Sequence, residues 1–301
     1  MPNRWWIYQR ERFPLLAHGI LIAVFSLSAV SYSALLRTGS ARVEHLAMMV
    51  AFSTTFLFFW QLRVLDEFKD YEEDVTYRPY RPVPRGVVTL DELGALGLVA
   101  GLVQLALAWW LHPPLAALLL VAWLYLALMR AEFFVPGWLK SRPLAYTGSH
   151  MVIVPLIALY AAACDWFVAG PWPPRGLGWF LLAAFFNGLV IELGRKIRAP
   201  EDEERGVPTY SVAWGVATAV SVWLLALGAG VVCALLAASR VAFTGAAALV
   251  LVPSAAIAVG TAWAFVHRPH SGGAHRIETV SGIWCLVTYL SLGPAQLVLR
   301  P

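Results

Sequence analysis

Nine apolar runs punctuate this chain, at residues 14 to 35, 45 to 65, 91 to 111, 113 to 129, 143 to 163, 176 to 193, 210 to 237, 242 to 266 and 277 to 299. Each is long enough to cross the ~30 Å hydrocarbon core of a bilayer. Inside lipid every backbone N–H and C=O must find its partner within the protein, and continuous apolar runs satisfy that as helices. The fold class expected is therefore all-α, a polytopic membrane protein of nine transmembrane helices around a central cavity. A content of 59% hydrophobic and 13% charged residues places the chain well outside the soluble globular range.

The boundary between the third and fourth runs is LeuHisProPro at 111 to 114, where paired prolines end one helix and begin the next. No linker, low-complexity segment or soluble insertion interrupts the series, so residues 1–301 read as a single domain. Lys and Arg crowd the N-terminus and the even-numbered connections, while the odd-numbered ones hold only scattered cations such as Arg37, Arg42, Arg175 and Arg240. By the positive-inside rule this predicts a cytoplasmic N-terminus and an outward C-terminus, as in a bacterial plasma membrane. Arg4, Arg10 and Arg12 precede a first run that no small-residue cleavage site follows, which predicts a retained helix. The net charge of +4 sits in short loops rather than on one basic face, so nucleic acid is not expected as a partner. Cys164, Cys233 and Cys285 fall in or beside separate apolar runs and indicate neither a disulfide framework nor a zinc site. Asp165 reads as a lone residue at the outer boundary, and Thr89 with Asp91 and Glu92 as a helix N-cap with first-turn acids.

Two charged stretches carry the chemistry. In LeuAspGluPheLysAspTyrGluGluAsp, residues 65 to 74, Asp66, Asp70 and Asp74 recur every fourth position. If the preceding helix continues, their carboxylates share one face with Cβ atoms ~5–6 Å apart. Like charges so placed call for a cation, and hard oxygen ligands without Cys or His favour Mg²⁺. A basic, proline-punctuated segment from Arg78 to Gly86 follows. The second stretch, residues 192 to 206, also leaves an even-numbered helix, four helices later, which hints at two related half-bundles. Two opposed anionic clusters bridged by divalent cations can hold a diphosphate above an apolar cavity. A diphosphate head on a hydrocarbon tail describes a prenyl diphosphate. Phe56, Phe58, Phe59, Phe185 and Phe186 are candidate faces to shelter an allylic cation. His267, His270 and His275 read as solvated loop histidines.

At these residues the chain resembles the UbiA-type intramembrane prenyltransferase superfamily. The family's Asn-x3-Asp-x3-Asp and Arg-Pro-x-Arg-Pro-x-Pro-x-Gly pattern lies over Asp66, Asp70, Asp74, Arg78, Pro79, Arg81, Pro82, Pro84 and Gly86, with Asp66 in place of the usual Asn. The resemblance implies that Asp70 and Asp74 bind Mg²⁺ and diphosphate and that Arg81 and neighbouring cations, Arg63 and Arg78 among them, contact the phosphates. It matches Lys140 and Arg142 to a basic pair that contacts diphosphate, with positive-inside charge as the plainer alternative. The second motif departs from the pattern: Asp202, Gly206, Thr209 and Gly215 fit, but the first Asp position falls on Arg198. Glu192, Glu201 and Glu203 are the nearby carboxylates that could replace it, Glu192 being the only one still on the apolar helix, with Asn187, Lys196 and Arg198 as further substrate contacts. Catalytic roles thus fall on Asp70, Asp74, Asp202 and Glu192, and metal ligation on those four with Asp66.

The expected function is Mg²⁺-dependent transfer of a prenyl group from a prenyl diphosphate to an acceptor, an aromatic one by preference, within the lipid bilayer. The alternatives are a membrane terpene cyclase of the same superfamily, which ionises the substrate without an acceptor, and a cation-selective transporter. Mid-helix charge would favour the transporter, and the sequence has almost none. Tail length, acceptor, pathway and oligomeric state are not encoded in these motifs.

Overall fold

The protein is described by a computed structural model over residues 3–299, and every regular element among them is helical. A short α1 (Arg4–Arg12) precedes α2 (Leu15–Thr38) and α3 (His45–Lys69), after which Asp70 separates α3 from the short α4 (Tyr71–Tyr77). Then come α5 (Leu90–Leu111), α6 (Leu115–Arg130), α7 (Pro136–Lys140), α8 (Pro143–Met151) and α9 (Ile153–Ala169). The remainder is α10 (Leu177–Arg195), α11 (Tyr210–Trp214), α12 (Val216–Arg240), α13 (Thr244–His267), α14 (Ser271–Leu292) and α15 (Pro294–Leu299).

Long helices stand where the apolar runs predicted them, with α8 and α9 together forming one span of 27 residues. Among the described residues seven are long and apolar enough by themselves to cross a membrane, so the expected count of nine spans is not reached on that measure. Two fall short for different reasons. The α6 helix has only 16 residues, and α14 carries His275, Arg276 and Glu278 in its first turns. Outward-facing Leu98, Leu102, Trp109, Leu249 and Trp263 are more than half exposed, a surface suited to lipid and costly in water.

Local chemistry sets the element ends. Thr89 caps α5 in a reciprocal box with Glu92, as its sequence predicts. His112, Pro113 and Pro114 make the α5–α6 hairpin. Two expected boundaries moved. The run at 210 to 237 breaks at Gly215, whose φ of +80° no helix accommodates. The run at 277 to 299 instead starts at Ser271 and stops at Gly293, whose backbone (φ −134°, ψ −77°) leaves the helical region before Pro294 and where a Cβ would lie 2.6 Å from the Ser28 backbone of α2.

Around α2 and α9, the helices α3, α5 and α6 form one group, and α10, α12, α13 and α14 form the other. The core between them contains Phe25, Tyr32, Phe58, Tyr160, Phe180, Trp223 and Trp284, all fully or nearly fully buried. At one end Asp165 is not the isolated boundary residue expected. It accepts from Ser33 Oγ at 2.8 Å and from Arg37 Nη2 at 2.9 Å, tying α9 to α2. The opposite end gathers both charged stretches.

Candidate active site

The α3 helix runs on past residue 65 to Lys69, and the backbone bends at Asp70 (φ −92°, ψ 2°) before α4 begins. The three aspartates of the first stretch consequently meet three different environments. Asp66 has a half-exposed side chain and only a loose contact, 3.5 Å, to Arg63 Nη2. Asp70 has no side-chain partner among the described residues. Burial, then the negative charges of Asp66 and Asp74, hold its carboxyl above the usual aspartate range. Asp74 is 1% exposed and fully engaged, by Arg78 Nη2 at 2.9 Å and by Arg81 Nη1 at 2.6 and 2.9 Å. Spacing alone made these residues equivalent. The fold leaves Asp66 and Asp70 open and spends Asp74 on the basic loop.

Cations missed or undervalued by the sequence reading lie close by. Glu67 is 1% exposed and accepts from Arg12 Nε at 2.6 Å, with Arg63 Nε at 3.4 Å. Arg12 arrives from α1, whose Tyr8 is also buried. Lys69 points the other way, to Glu132, Tyr146 and His150. Apart from the i,i+4 pair of Arg63 and Glu67, none of these contacts leaves a trace in sequence spacing, since each joins elements tens of residues apart.

The second stretch is split in the same manner. Glu192, near the end of α10, accepts from Arg195 Nη2 and Lys196 Nζ, both at 2.8 Å, so this patch is net cationic. Burial opposes the charge on Lys196, but Glu192 outweighs it and holds the ammonium above the usual lysine range. The Arg198 side chain has no partner among the described residues, while its backbone N–H donates to Ser211 Oγ. Asp202 and Glu201 turn away to α14: Glu201 accepts from Ser271 N at 2.7 Å and Asp202 from Ser271 Oγ at 2.7 Å. Asn187 lies deeper, buried, accepting from Trp284 Nε1 at 3.0 Å, with its Nδ2 unpartnered. Lys140 and Arg142 are exposed, and Arg142 stacks over Trp138 at 4.7 Å. Neither touches an acidic stretch.

The two stretches meet. Tyr80 donates to Glu204 at 2.9 Å, and Tyr77 packs over Gly206, where a Cβ would lie 2.5 Å from its ring. The negative charge of Asp66 acts on Arg195 across the mouth. Gly206 also has φ +77°, so Gly206→Ala combines a clash with a disfavoured backbone. We expect that variant to lose ~2–3 kcal/mol of stability, read as a lowered thermal midpoint. A full-strength midpoint would show that the Tyr77 contact is dispensable.

No three His, Cys, Asp or Glu side chains among the described residues form a ready metal cage. Asp66 and Asp70, two open carboxylates one turn apart, fit a single hard divalent ion whose remaining ligands come from water and substrate. The anticipated aromatic shelter is dispersed. Phe58 packs edge-on to Tyr160 in the core, and Phe186 faces a cleft of about 240 Å³ between α8, α10 and α12. Phe185 and Phe186 meet each other at 5.4 Å, and Phe59 joins a separate series with Phe25, Tyr289 and Phe180 in successive contacts of 5.1–6.2 Å.

Residues 27–282 match the family model of the UbiA prenyltransferase family. The chain belongs to that family. A solved UbiA homologue from Aeropyrum pernix K1 superposes with a TM-score of 0.67 at 14% identity, covering 93% of this chain and 98% of that one. A digeranylgeranylglyceryl phosphate synthase superposes with a TM-score of 0.65 at 14% identity, covering 98% and 99% respectively. No curated protein sequence matches the chain. This UbiA family member is thus a helical membrane protein of prenyltransferase type, and both charged stretches fall within the matched region while α1, which supplies Arg12, lies before it.

Proposed function

We propose that the protein is a Mg²⁺-dependent prenyltransferase that takes a prenyl diphosphate at its charged end and transfers the prenyl group to a small acceptor. The observation that carries this reading is the open pair Asp66 and Asp70 set opposite the cationic group of Arg195 and Lys196, under loops joined by Tyr80 and Glu204. Carboxylates that receive a metal, facing cations that receive phosphate oxygens, form a complement to a metal diphosphate and to little else. When bound, Mg²⁺ neutralises charge that grows on the diphosphate as its C–O bond breaks.

The chain's own residues supply the rest. Arg198 and Lys196 hold phosphate oxygens from the second stretch, and Glu192 fixes the position of Lys196 and Arg195. Asp74 orients Arg78 and Arg81 beside Asp70. The Tyr80–Glu204 bond joins the two loops over the mouth, and the rings from Phe59 to Phe180 pack in the apolar interior. The crowding of Lys and Arg at this end supports its lying on the cytoplasmic side of a bacterial plasma membrane.

The test uses purified full-length protein with Mg²⁺ and prenyl diphosphates of several lengths, measuring diphosphate release with and without aromatic acceptors. Acceptor-dependent release, abolished by a chelator, is expected. Release without acceptor together with a cyclic hydrocarbon would move the assignment to a terpene cyclase. No release under any condition would refute the diphosphate reading.

The two acidic candidates of the second stretch also separate. Glu192→Ala frees two cations, and misplacing them is expected to lower turnover by about 10²-fold. Asp202→Ala should cost only its bond to Ser271, about 1 kcal/mol of stability, with turnover within about threefold of wild type. Equal loss in both variants would return Asp202 to the site.

A further inference from the structure

Arg276 is a cation without a counter-charge in its own protein. It lies more than a full turn past Ser271, the first residue of α14, about 7 Å along the helix axis. The acids nearest to it in the chain and in space are engaged elsewhere. Glu278 lies 3.9 Å from His275, and Glu201 and Asp202 both accept from Ser271. No carboxylate among the described residues pairs with the Arg276 guanidinium. A cation that far down a helix beside lipid calls for an anion from outside the chain.

The same side chain lines a recess of about 300 Å³ between α13 and α14. Ile257, Gly260, Thr261 and Ala264 form the α13 wall, spaced three and four residues apart and so on one helix face. Gly273 and His270 complete the α14 side next to Arg276. Two glycines shape it in different ways. At Gly273 a Cβ would lie 2.7 Å from the Phe265 ring, so its absence lets the two helices close; at Gly260 a Cβ would meet nothing within 4 Å, so its absence leaves the wall hollow. His270 is held in place at the polar end, its Nδ1 2.8 Å from the Arg268 carbonyl.

Depth and polarity together identify the occupant. The apolar stretch of α13 is only 22% buried, so this helix stands at the periphery and the recess opens toward lipid. From Ile257 to the helix end at His267 the wall spans about 15 Å, the hydrocarbon thickness of one leaflet. A peptide laid there would leave backbone groups unpaired in lipid. A free phosphate would use the cationic end and leave the apolar limb empty. A molecule with an anionic head and a hydrocarbon chain fills both.

We propose that the α13–α14 recess is a binding site for an anionic phospholipid, with its phosphate on Arg276 and one acyl chain lying along Gly260 and Ile257. The positive end of the α14 dipole adds to the attraction. The lipid comes from the leaflet at the charged end of the bundle, since Ser271 at the head of α14 is the residue that holds Glu201 and Asp202. Occupancy therefore bears on the second charged stretch through that helix end, while the site itself is independent of the diphosphate reading.

The experiment titrates purified, delipidated full-length protein in detergent with dioleoyl phosphatidylglycerol or dioleoyl phosphatidylcholine, which share their chains and differ in net head charge. Native mass spectrometry measures binding of the first lipid, and the thermal midpoint gives a second reading. Phosphatidylglycerol is expected to bind about tenfold tighter than phosphatidylcholine, and Arg276→Gln to remove most of that difference. Gly260→Leu fills the hollow wall with a better helix former and should weaken binding of phosphatidylglycerol by about tenfold. Arg276 and Gly260 are both exposed, so neither change disturbs core packing. Arg268→Gln removes an equal charge from the connection outside the recess and should alter binding by less than about twofold. Equal affinity for the two lipids, equal losses from Arg276→Gln and Arg268→Gln, or undiminished binding by Gly260→Leu each overturn the proposal. So does a midpoint raised as far by inorganic phosphate as by phosphatidylglycerol, because that anion has no chain to place in the recess.

Discussion

Asp70→Asn is expected to lower Mg²⁺-dependent diphosphate release by about 10²- to 10³-fold and, in the same preparation, to raise the thermal midpoint of the metal-free protein at neutral pH. The two effects share a cause. Burial and the negative charges of Asp66 and Asp74 raise the Asp70 carboxyl in the folded state above its unfolded value. A carboxyl raised in this way favours folding below its unfolded pKa, and that contribution is lost as pH rises through the folded one. At neutral pH the ionised form is therefore a net cost to the empty protein, and an amide of the same shape removes it. The repulsion that destabilises the empty protein is what a divalent cation relieves, so added Mg²⁺ should stabilise wild type more than the variant. A midpoint unchanged by Asp70→Asn, or an active variant, would sink the assignment of Asp70 as an open metal ligand.

Asp74→Ala should behave in the opposite sense. Removing that carboxylate strands Arg78 and Arg81, whose side chains are only 10% and 18% exposed, with no other salt-bridge partner among the described residues. Breaking a buried pair from one side costs ~3–5 kcal/mol, a large fraction of a typical folding stability. Thermal or denaturant unfolding in detergent should show that loss directly. Activity should fall with the folded fraction, and Asp74→Asn, which can still accept from the guanidinium groups, should recover part of both. An Asp74→Ala protein as stable as wild type would mean that the two arginines find other anions, and that Asp74 is as open as Asp70. The linear motif assigns both aspartates the same role, so this pair of variants separates the motif from its three-dimensional setting.

Much of the architecture was legible because the bilayer reads composition directly. An apolar run of twenty residues has one stable way to satisfy its backbone in lipid, and the paired prolines, the Thr89 cap and the charged connections mark where runs end. Errors concentrated where packing overrode the pattern. Gly215 splits an apolar run because its backbone leaves the helical region, and α14 ends at Gly293, where the backbone also leaves that region and α2 passes too close for a side chain. The site was legible in outline, since the four-residue spacing of acids and the basic loop after them are local. Its occupancy was not. Lys140 and Arg142 read as a phosphate-binding pair and are exposed without a contact to either acidic stretch, while Arg12, Lys69 and Glu132 read as ordinary boundary charges and are mostly buried in ion pairs beside the mouth.

The amino-acid order by itself determined that the chain is helical, that it belongs in a membrane, and that acid and base collect at one end of the bundle. These follow from the solvent each segment must satisfy, which is a property of the segment alone. Which carboxylates stay open was decided only by tertiary structure. An ion pair needs a second group within about 4 Å, and the groups that close Glu67, engage Asp202 and cage Lys69 come from α1, from α14, and from α8 with the turn at Glu132, all many residues away.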